Sequence, residues 1–535
     1  MAAPPPEKPE AIRLRTLVVA AFWTLIVCVG LPVWHYTTSV FRASLPLESM
    51  LSAPAIPSIP LPIWVLAHSH FSCKELEDLV SHTQAAFDQK NTFFRTLNPT
   101  VRLVHEPGSS RCGDDIETLA RIDPALVLQL ELTRDTYALQ LIPGTDTALV
   151  QVPSSVPDSI AQNLADSIYA FFLPEQIAHA LQLKAQSVND RRIDDFLNVQ
   201  REATVTGIER QLARAAKASP VYHLTFSLFT ASGAPSSWDV QQALDHHIRP
   251  LVTALADTAD IRIATQVQLY SSYAPSIQPV NAGHGFQIRQ SDLTAFVNAA
   301  EWPLTPSIGF GPTLNFIIYV PHPDEMPLSI EAGETDGWLV PQWGGIFILN
   351  PPLVPNPVSG RPSIPVNLAA ANVEPAFETF VSQLLSLLGV LDFEGHHSLP
   401  LRLRAHKRLM GLALSARASS SLASLARVAK RLEQIPIPKH VAQLVDNSMA
   451  NLTAFTAASR DARWTEAVEH AANAYVDSEQ AFFDKSMVGQ VYFPDEHKVA
   501  VYLPLLGPIG VPLLVALVRE IKRFLAVVRS IPPGS

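Results

Sequence analysis

The run LVVAAFWTLIVCVGLPVW, Leu17–Trp34, decides how this chain must be read. No formal charge occurs between Arg15 and Arg42. A second uncharged run, VAVYLPLLGPIGVPLLVALV, Val499–Val518, lies between Lys498 and Arg519. Each approaches the roughly 20 residues that an α-helix needs to cross a bilayer core about 30 Å thick. Two crossings put both termini on one side and everything between them on the other. Lys8, Arg13 and Arg15 precede the first run; Arg519, Lys522, Arg523 and Arg529 follow the second. Basic residues in both short tails predict that they are cytosolic. The expected organisation is a cytosolic tail over 1–15, a membrane helix over 16–36, a translocated domain over 37–498, a second membrane helix over 499–518 and a cytosolic tail over 519–535. A cleaved signal peptide is the alternative at the N-terminus. Against it, the apolar run is longer than a typical h-region and no small-x-small site ends it.

The second run has an unusual interior. Pro504, Pro508 and Pro512 recur every four residues, with Gly507 and Gly510 among them. Each proline removes an amide donor and crowds the carbonyl four residues back, so a kinked helix with freed carbonyls is expected. In lipid such groups take partners from neighbouring helices, hydroxyls or local water, and glycines let helices approach closely. This reading makes the segment a packing surface for other membrane subunits; a tolerated kink is the plainer alternative.

Composition narrows the rest. The chain has 535 residues, 45 of them proline, and a net charge of −10. The tails are basic, so the acidity belongs to the middle, which argues against a nucleic-acid partner, for which a basic stripe is expected. Cys28 falls inside the first apolar run, leaving Cys73 and Cys112 as the thiols of the translocated part. In an oxidising lumen a disulfide between them is the favoured reading, with two buried free thiols as the alternative. Asn451-Leu452-Thr453 is a glycosylation sequon, whereas Asn98-Pro99-Thr100 is blocked by its proline.

Along the chain, residues 46–62 carry five prolines and predict an extended stalk. Residues 63–373 read as a mixed α/β core. Its expected elements are a strand at 63–66, a helix around 74–94, an antiparallel meander over 125–132, 136–142 and 147–152, and a helix over 157–183. From Pro220 come a strand at 221–229, a helix at 238–256 and a strand at 261–270, then buried strands at 314–320 and 345–349. Residues 374–490 turn mainly helical. Phe377, Phe380, Leu384, Leu387 and Leu388 mark one apolar face, and Leu422, Leu425, Val428, Leu432 and Ile435 another. A last helical run, 441–483, is broken at least once. The fold class is therefore α/β or α+β with a mixed sheet, a helical C-terminal third and two flanking membrane helices.

A search for chemistry is mostly negative. His68, His70 and Cys73 form an H-x-H-x-x-C cluster that could ligate zinc or pair a thiol with a base, but no second cluster at ligand spacing accompanies it. The adjacent pairs His246-His247 and His396-His397 point different ways on a helix or a strand and read as structural. Asp114-Asp115 after Gly113 reads as a turn or cap. The fragments Gly283-His284-Gly285 and Gly309-Phe310-Gly311 lack a third glycine, and there is no nucleophile elbow, zincin motif or P-loop. No catalytic residue, metal or cofactor is expected from the residues themselves.

Six segments in order carry a family resemblance. They are Thr37–Pro46 (TTSVFRASLP), Thr225–Leu228 (TFSL), Leu314–Pro321 (LNFIIYVP), Pro341–Ile346 (PQWGGI), Ser478–Asp484 (SEQAFFD) and Tyr492–Asp495 (YFPD). Together they resemble the PIG-S family, fungal members included, whose proteins are subunits of the glycosylphosphatidylinositol (GPI) transamidase of the endoplasmic reticulum. That complex replaces the C-terminal signal of a translocated precursor with a GPI anchor. The resemblance implies a non-catalytic scaffold subunit in the endoplasmic-reticulum membrane, with the catalytic cysteine on a separate caspase-like subunit. The implied partners are that subunit, a β-sandwich lumenal subunit, multi-span membrane subunits and, through the complex, the GPI lipid and the precursor.

Within these segments, Trp343 beside two glycines is a candidate subunit anchor, although a turn with a packed indole is the plainer reading. Phe482 and Phe483 are candidates for a contact near the membrane, or for a wedge against the sheet. Arg13 and Arg15, at the level of the headgroups, are candidates for an anionic lipid, or serve as topology signals alone. Two other functions stay open: a lumenal receptor for GPI precursors, and a thiol-dependent lumenal hydrolase using Cys73 or Cys112.

Overall fold

The computed structural model describes residues 9–30, 32–33, 36, 41–52, 59–67, 71–90, 97–105, 112–116, 119, 121–133, 137–153, 158–185, 191–281, 283, 285–297, 310–331, 333, 335–355, 362–392, 398–432, 435–488 and 495–529. They form two compact units. One comprises Ser52–Ser421 and Asn447–Ser478; the other comprises Met1–Leu51, Leu422–Asp446 and Glu479–Ser535.

The first unit contains two mostly parallel sheets. Strands β1 (Ile59–Ala67), β2 (Leu97–His105), β3 (Asp114–Asp115), β4 (Leu126–Thr133), β5 (Ala138–Leu141) and β6 (Thr147–Pro153) lie in the order β3-β2-β1-β4-β6-β5. All neighbours are parallel except β5 with β6. Val65 sits opposite Leu103 and Leu128, and Leu128 opposite Ala148, a row of buried aliphatic side chains across the sheet. The helices Cys73–Lys90 and Asp158–Ala185 contribute Leu76, Leu79, Phe87, Ile160, Leu164 and Ile168 to the same core.

Two sequence expectations change here. β1 begins at Ile59, not at residue 63, so Pro60 and Pro62 belong to a strand rather than to a stalk. β1 pairs with β2 from Ile59 but with β4 only from Ile63, so the prolines fall where one flank needs no amide donors. The antiparallel meander is also corrected: β4 pairs with β6 in parallel, and β5 folds back on the outer side of β6. Burial explains the swap. Ala148, Val150 and Val152 of β6 are fully buried and take the inner position, while β5 is half-exposed and takes the edge.

The second sheet is built from β7 (Val221–Thr230), β9 (Asp260–Gln268), β12 (Thr313–Val320), β14 (Gly337–Val340) and β15 (Gly344–Ile348), ordered β14-β15-β12-β7-β9. Only β14 is antiparallel to its neighbour. The short strands β8 (Ser237–Trp238), β10 (Val280–Asn281), β11 (Phe286–Ile288) and β13 (Leu328–Ile330) lie outside it. Alternation along each strand sends side chains to opposite faces. Phe226 and Phe316 pair across β7 and β12 and stack 5.1 Å apart; Phe377 and Phe380 of the helix Ala370–Leu388 close over them. On the other face Phe229, Ile317, Tyr319, Ile346 and Ile348 pack with Phe296 and Leu293.

The face of the Ala370–Leu388 helix read from sequence is buried in full: Phe377, Phe380, Leu384, Leu387 and Leu388. Gly389 (φ 81°) ends the helix in the left-handed region that glycine tolerates. The C-terminal third supplies helices Leu399–Arg431, Lys439–Arg460 and Trp464–Phe482. The expected break in the last helical run falls between the second and third, where Ala462 takes φ 55°. Leu422, Leu425 and Ile435 are buried as their spacing predicts, but the helix ends at Arg431 and Leu432 is 43% exposed.

Inside the first unit, Arg408 forms a two-pronged ion pair with Glu175 at 2.6 and 2.7 Å, both side chains buried. Nearby polar burial has a cost in charge: desolvation pushes the His179 and His406 imidazoles down to about 4.

The second unit holds the chain ends. The α-helix Pro9–Leu25 continues into a π-helical turn, Ile26–Gly30. The helix Asp495–Arg529 runs continuously through Pro504, Pro508 and Pro512. Arg42 closes the end of another helix: its guanidinium donates to the carbonyls of Ala429 (2.6 Å) and Leu432 (3.3 Å), where the helix leaves acceptors open. Ala43 donates its amide to Ile437, and Ile437 donates to Phe41, so Phe41-Arg42-Ala43 is held as a short parallel bridge.

Candidate functional site

The residues singled out from sequence fall at separate places. Among the described residues one helix, Glu10–Gly30, is long and apolar enough to cross a membrane. At its start Arg15 donates Nε to Glu520 Oε1 at 2.9 Å, and Thr16 donates its hydroxyl to Glu520 Oε2 at 3.0 Å. Arg15 is therefore engaged by a carboxylate within the chain, while Arg13 is exposed. Glu520 also lies 3.6 Å from Arg523. The expected second span, 499–518, falls within the helix Asp495–Arg529. A Cβ added at Gly507 or Gly510 meets nothing within 4 Å among the described residues. The small size of these residues is thus not required by packing within the described chain.

Cys73 and Cys112 are joined in a disulfide with Cα atoms 5.3 Å apart. It ties the first residue of the Cys73–Lys90 helix to the segment entering β3. Neither sulfur is then a thiolate, which removes the nucleophile from the hydrolase alternative. The histidines nearest to Cys73 in sequence, His68 and His70, lie outside the described residues, as does the His396-His397 pair.

Asn451 is half-buried on the helix Lys439–Arg460, with its Oδ1 3.1 Å from His470 Nδ1 on the next helix. Thr453 returns its hydroxyl to the Met449 carbonyl. The sequon is therefore a helical segment, with Asn451 Oδ1 and the Thr453 hydroxyl engaged within the chain.

Trp343 sits in the turn between β14 and β15. Its carbonyl accepts from Asn315, its amide donates to Val340, and its half-buried ring packs on the second-sheet cluster. Gln342 takes φ 62° and ties the turn to the helix Glu202–Arg214 through the Arg214 and Ala213 carbonyls. At Gly345 an added Cβ would collide with the Gln383 carboxamide. Gly345 thus lets the Ala370–Leu388 helix close on the sheet. Phe482 is half-buried and Phe483 is 66% exposed, their rings edge to face at 4.9 Å.

The structure also assembles a group from residues that read as structural in the sequence. The π-helical turn Leu244–Ile248 carries His246 and His247, and Glu374 of the Ala370–Leu388 helix meets them. Donor atoms of all three lie within 4.8 Å of one another. The histidine pair is visible in the sequence, but no local signal couples it to a glutamate so far along the chain.

Mostly parallel α/β sheets, helical layers and one preceding apolar helix of spanning length define the class: a mixed α/β protein with a candidate N-terminal anchor. A family model described as "Phosphatidylinositol-glycan biosynthesis class S protein", PIG-S, matches residues 21–526. The chain belongs to the PIG-S family. It is 27% identical over 529 residues to the GPI transamidase component PIG-S homolog of Schizosaccharomyces pombe, covering 97% of this chain and 86% of the relative. To the GPI-anchor transamidase component PIGS of Homo sapiens it is 25% identical over 537 residues, 93% of each. To the GPI transamidase component GPI17 of Saccharomyces cerevisiae it is 24% identical over 544 residues, 93% of this chain and 90% of the relative.

Proposed function

We propose that this chain is a non-catalytic scaffold subunit of the GPI transamidase, held in the endoplasmic-reticulum membrane by a helix at each end. The observation that carries the reading is the end-to-end match to relatives named as components of that enzyme. In the scaffold reading the cysteine chemistry belongs to a caspase-like partner subunit, and the lumenal body of this chain, 37–498, positions the other subunits. The bonded state of Cys73 and Cys112 supports assigning the nucleophile elsewhere. Both tails are basic at the membrane boundary, which supports cytosolic termini. The open flank at Gly507 and Gly510 supports a helix that packs against multi-span subunits, and exposed Phe483 is the better-placed aromatic for a partner contact.

The decisive experiment removes this chain from its cell and follows a GPI-anchored reporter, while a tagged copy is isolated in mild detergent. The scaffold reading expects uncleaved precursor to accumulate and a caspase-like subunit to co-purify. It also expects Cys73→Ala to support anchoring wherever the protein folds. Normal anchoring without the chain, or a chain isolated intact without a protease-like subunit, overturns it.

A further inference from the structure

We propose that His246, His247 and Glu374 form a binding site for a divalent transition metal, best suited to zinc, that fastens two helices over the second sheet. Adjacent histidines on a regular α-helix diverge by about 100° around its axis and make poor joint ligands. Here the pair lies in the π-helical turn Leu244–Ile248, whose wider winding brings neighbouring side chains closer in direction. Such turns inserted in α-helices are frequent at functional sites. The two imidazoles stand edge to face with centroids 4.8 Å apart. Glu374 approaches from the Ala370–Leu388 helix, its Oε1 3.9 Å from His247 Nε2.

The donor set and its surroundings suit a metal better than a plain ion pair. Two imidazoles and one carboxylate match the ligands zinc takes in three-ligand sites, with water in the fourth position. All three donor atoms lie within 4.8 Å. Bond lengths of about 2.0–2.1 Å in a tetrahedral site need separations of about 3.4 Å, so the ligands must close by little more than an ångström. His246 and Glu374 are exposed and free to make that adjustment. His247 is the fixed member: its side chain is 14% exposed and its ring lies against buried Phe377, 6.4 Å between centroids. The adjacent charges do not compete. Asp245 is already taken by Arg249 at 2.5 Å and by the Gln241 amide at 3.0 Å, so this nearby cation is neutralised. Imidazole donors select zinc, cobalt, nickel or copper over magnesium and calcium.

The test uses the full-length chain in detergent, carrying a tag without histidine, stripped with a chelator and then equilibrated with zinc chloride. Elemental analysis after gel filtration should return one zinc per chain, unchanged by millimolar magnesium. Cobalt should give the visible absorption of a low-coordinate site. His246→Ala and Glu374→Gln alter exposed side chains and should each weaken zinc binding tenfold or more. His440→Ala, which changes a separate exposed histidine beside Asp484, should leave it unchanged. His247→Ala also loses packing on Phe377, so the other two variants decide the outcome. Substoichiometric zinc in the wild-type chain, or zinc binding equal in wild type, His246→Ala and Glu374→Gln, overturns the proposal.

Discussion

The two sheets share a parallel design but are held together by different means. Among the described residues, the first has a core of mainly aliphatic side chains with Phe87 on its helix-covered face, and on the other only the small cluster of Trp64, Val104, Leu119 and Val127. The second is buried on both faces along β7, β12 and β15, with an aromatic stack of Phe226, Phe316, Phe377 and Phe380 on one and Phe229, Tyr319 and Phe296 on the other. The thinner sheet is the one with a covalent cross-link, at Cys73–Cys112, and the one whose covering helix carries a buried ion pair, at Glu175. Where apolar burial is limited, constraint of the unfolded chain and specific polar contacts take a larger share of stability. The second sheet relies on packing, which makes it sensitive to volume instead.

The largest effects should come from each sheet's own device. Arg408→Met strands the Glu175 carboxylate in the core and should cost about 3–5 kcal/mol in denaturant unfolding of the full chain. Phe226→Ala empties the centre of the aromatic stack and should cost about 3–5 kcal/mol. Hydrogen exchange should locate the first loss around Asp158–Ala185 and the second around β7 and β12. Reversed locations would refute the division of labour between the sheets. Cys112→Ser should cost about 2–4 kcal/mol and raise exchange in residues 59–153 while leaving β7, β12 and β15 protected. Uniform loosening would mean that the disulfide holds more than its own sheet.

Smaller effects sharpen the contrast. Gly345→Ala forces the Gln383 carboxamide aside and should cost about 1–3 kcal/mol. Adding Gln383→Ala should recover much of that loss, and a purely additive double variant would refute the close approach. A separate effect is one of pH, and it grows with the range crossed. His179 and His406 are held neutral down to about pH 4, whereas the unfolded chain protonates its histidines near 6.5. The unfolded state therefore binds more protons below about 6.5, and stability falls as pH drops from there to about 4. The slope approaches about 1.4 kcal/mol per pH unit for each histidine. His406→Gln should flatten it, and an unchanged slope would exclude that residue as a source.

Much of this protein is legible in one dimension because much of it is local. The uncharged run that begins after Arg15 marks the Glu10–Gly30 helix, and three-to-four spacing marks the buried face of Ala370–Leu388. Runs rich in β-branched and aromatic residues mark β7 and β12, strands buried on both faces even at Thr225, Ser227 and Asn315. The six ordered segments sufficed for the PIG-S family, and the structure explains some of them: Arg42 closes a helix end, and Gly345 admits Gln383.

What needed three dimensions is whatever depends on which distant segments meet. Strand spacing favours an antiparallel meander over 125–132, 136–142 and 147–152, but burial puts β6 inside and β5 at the edge. Glu175 and Arg408 look like ordinary surface charges until two helices bury them together. The Asn451 sequon is visible in sequence, but its contact with His470 on the next helix is not. His246-His247 reads as a pair pointing apart until a π-helical turn and Glu374 bring three donors together. Periodicity and composition are properties of neighbours in sequence and survive as written. Strand order, ion pairing and ligand convergence are properties of neighbours in space, and only the packed chain decides them.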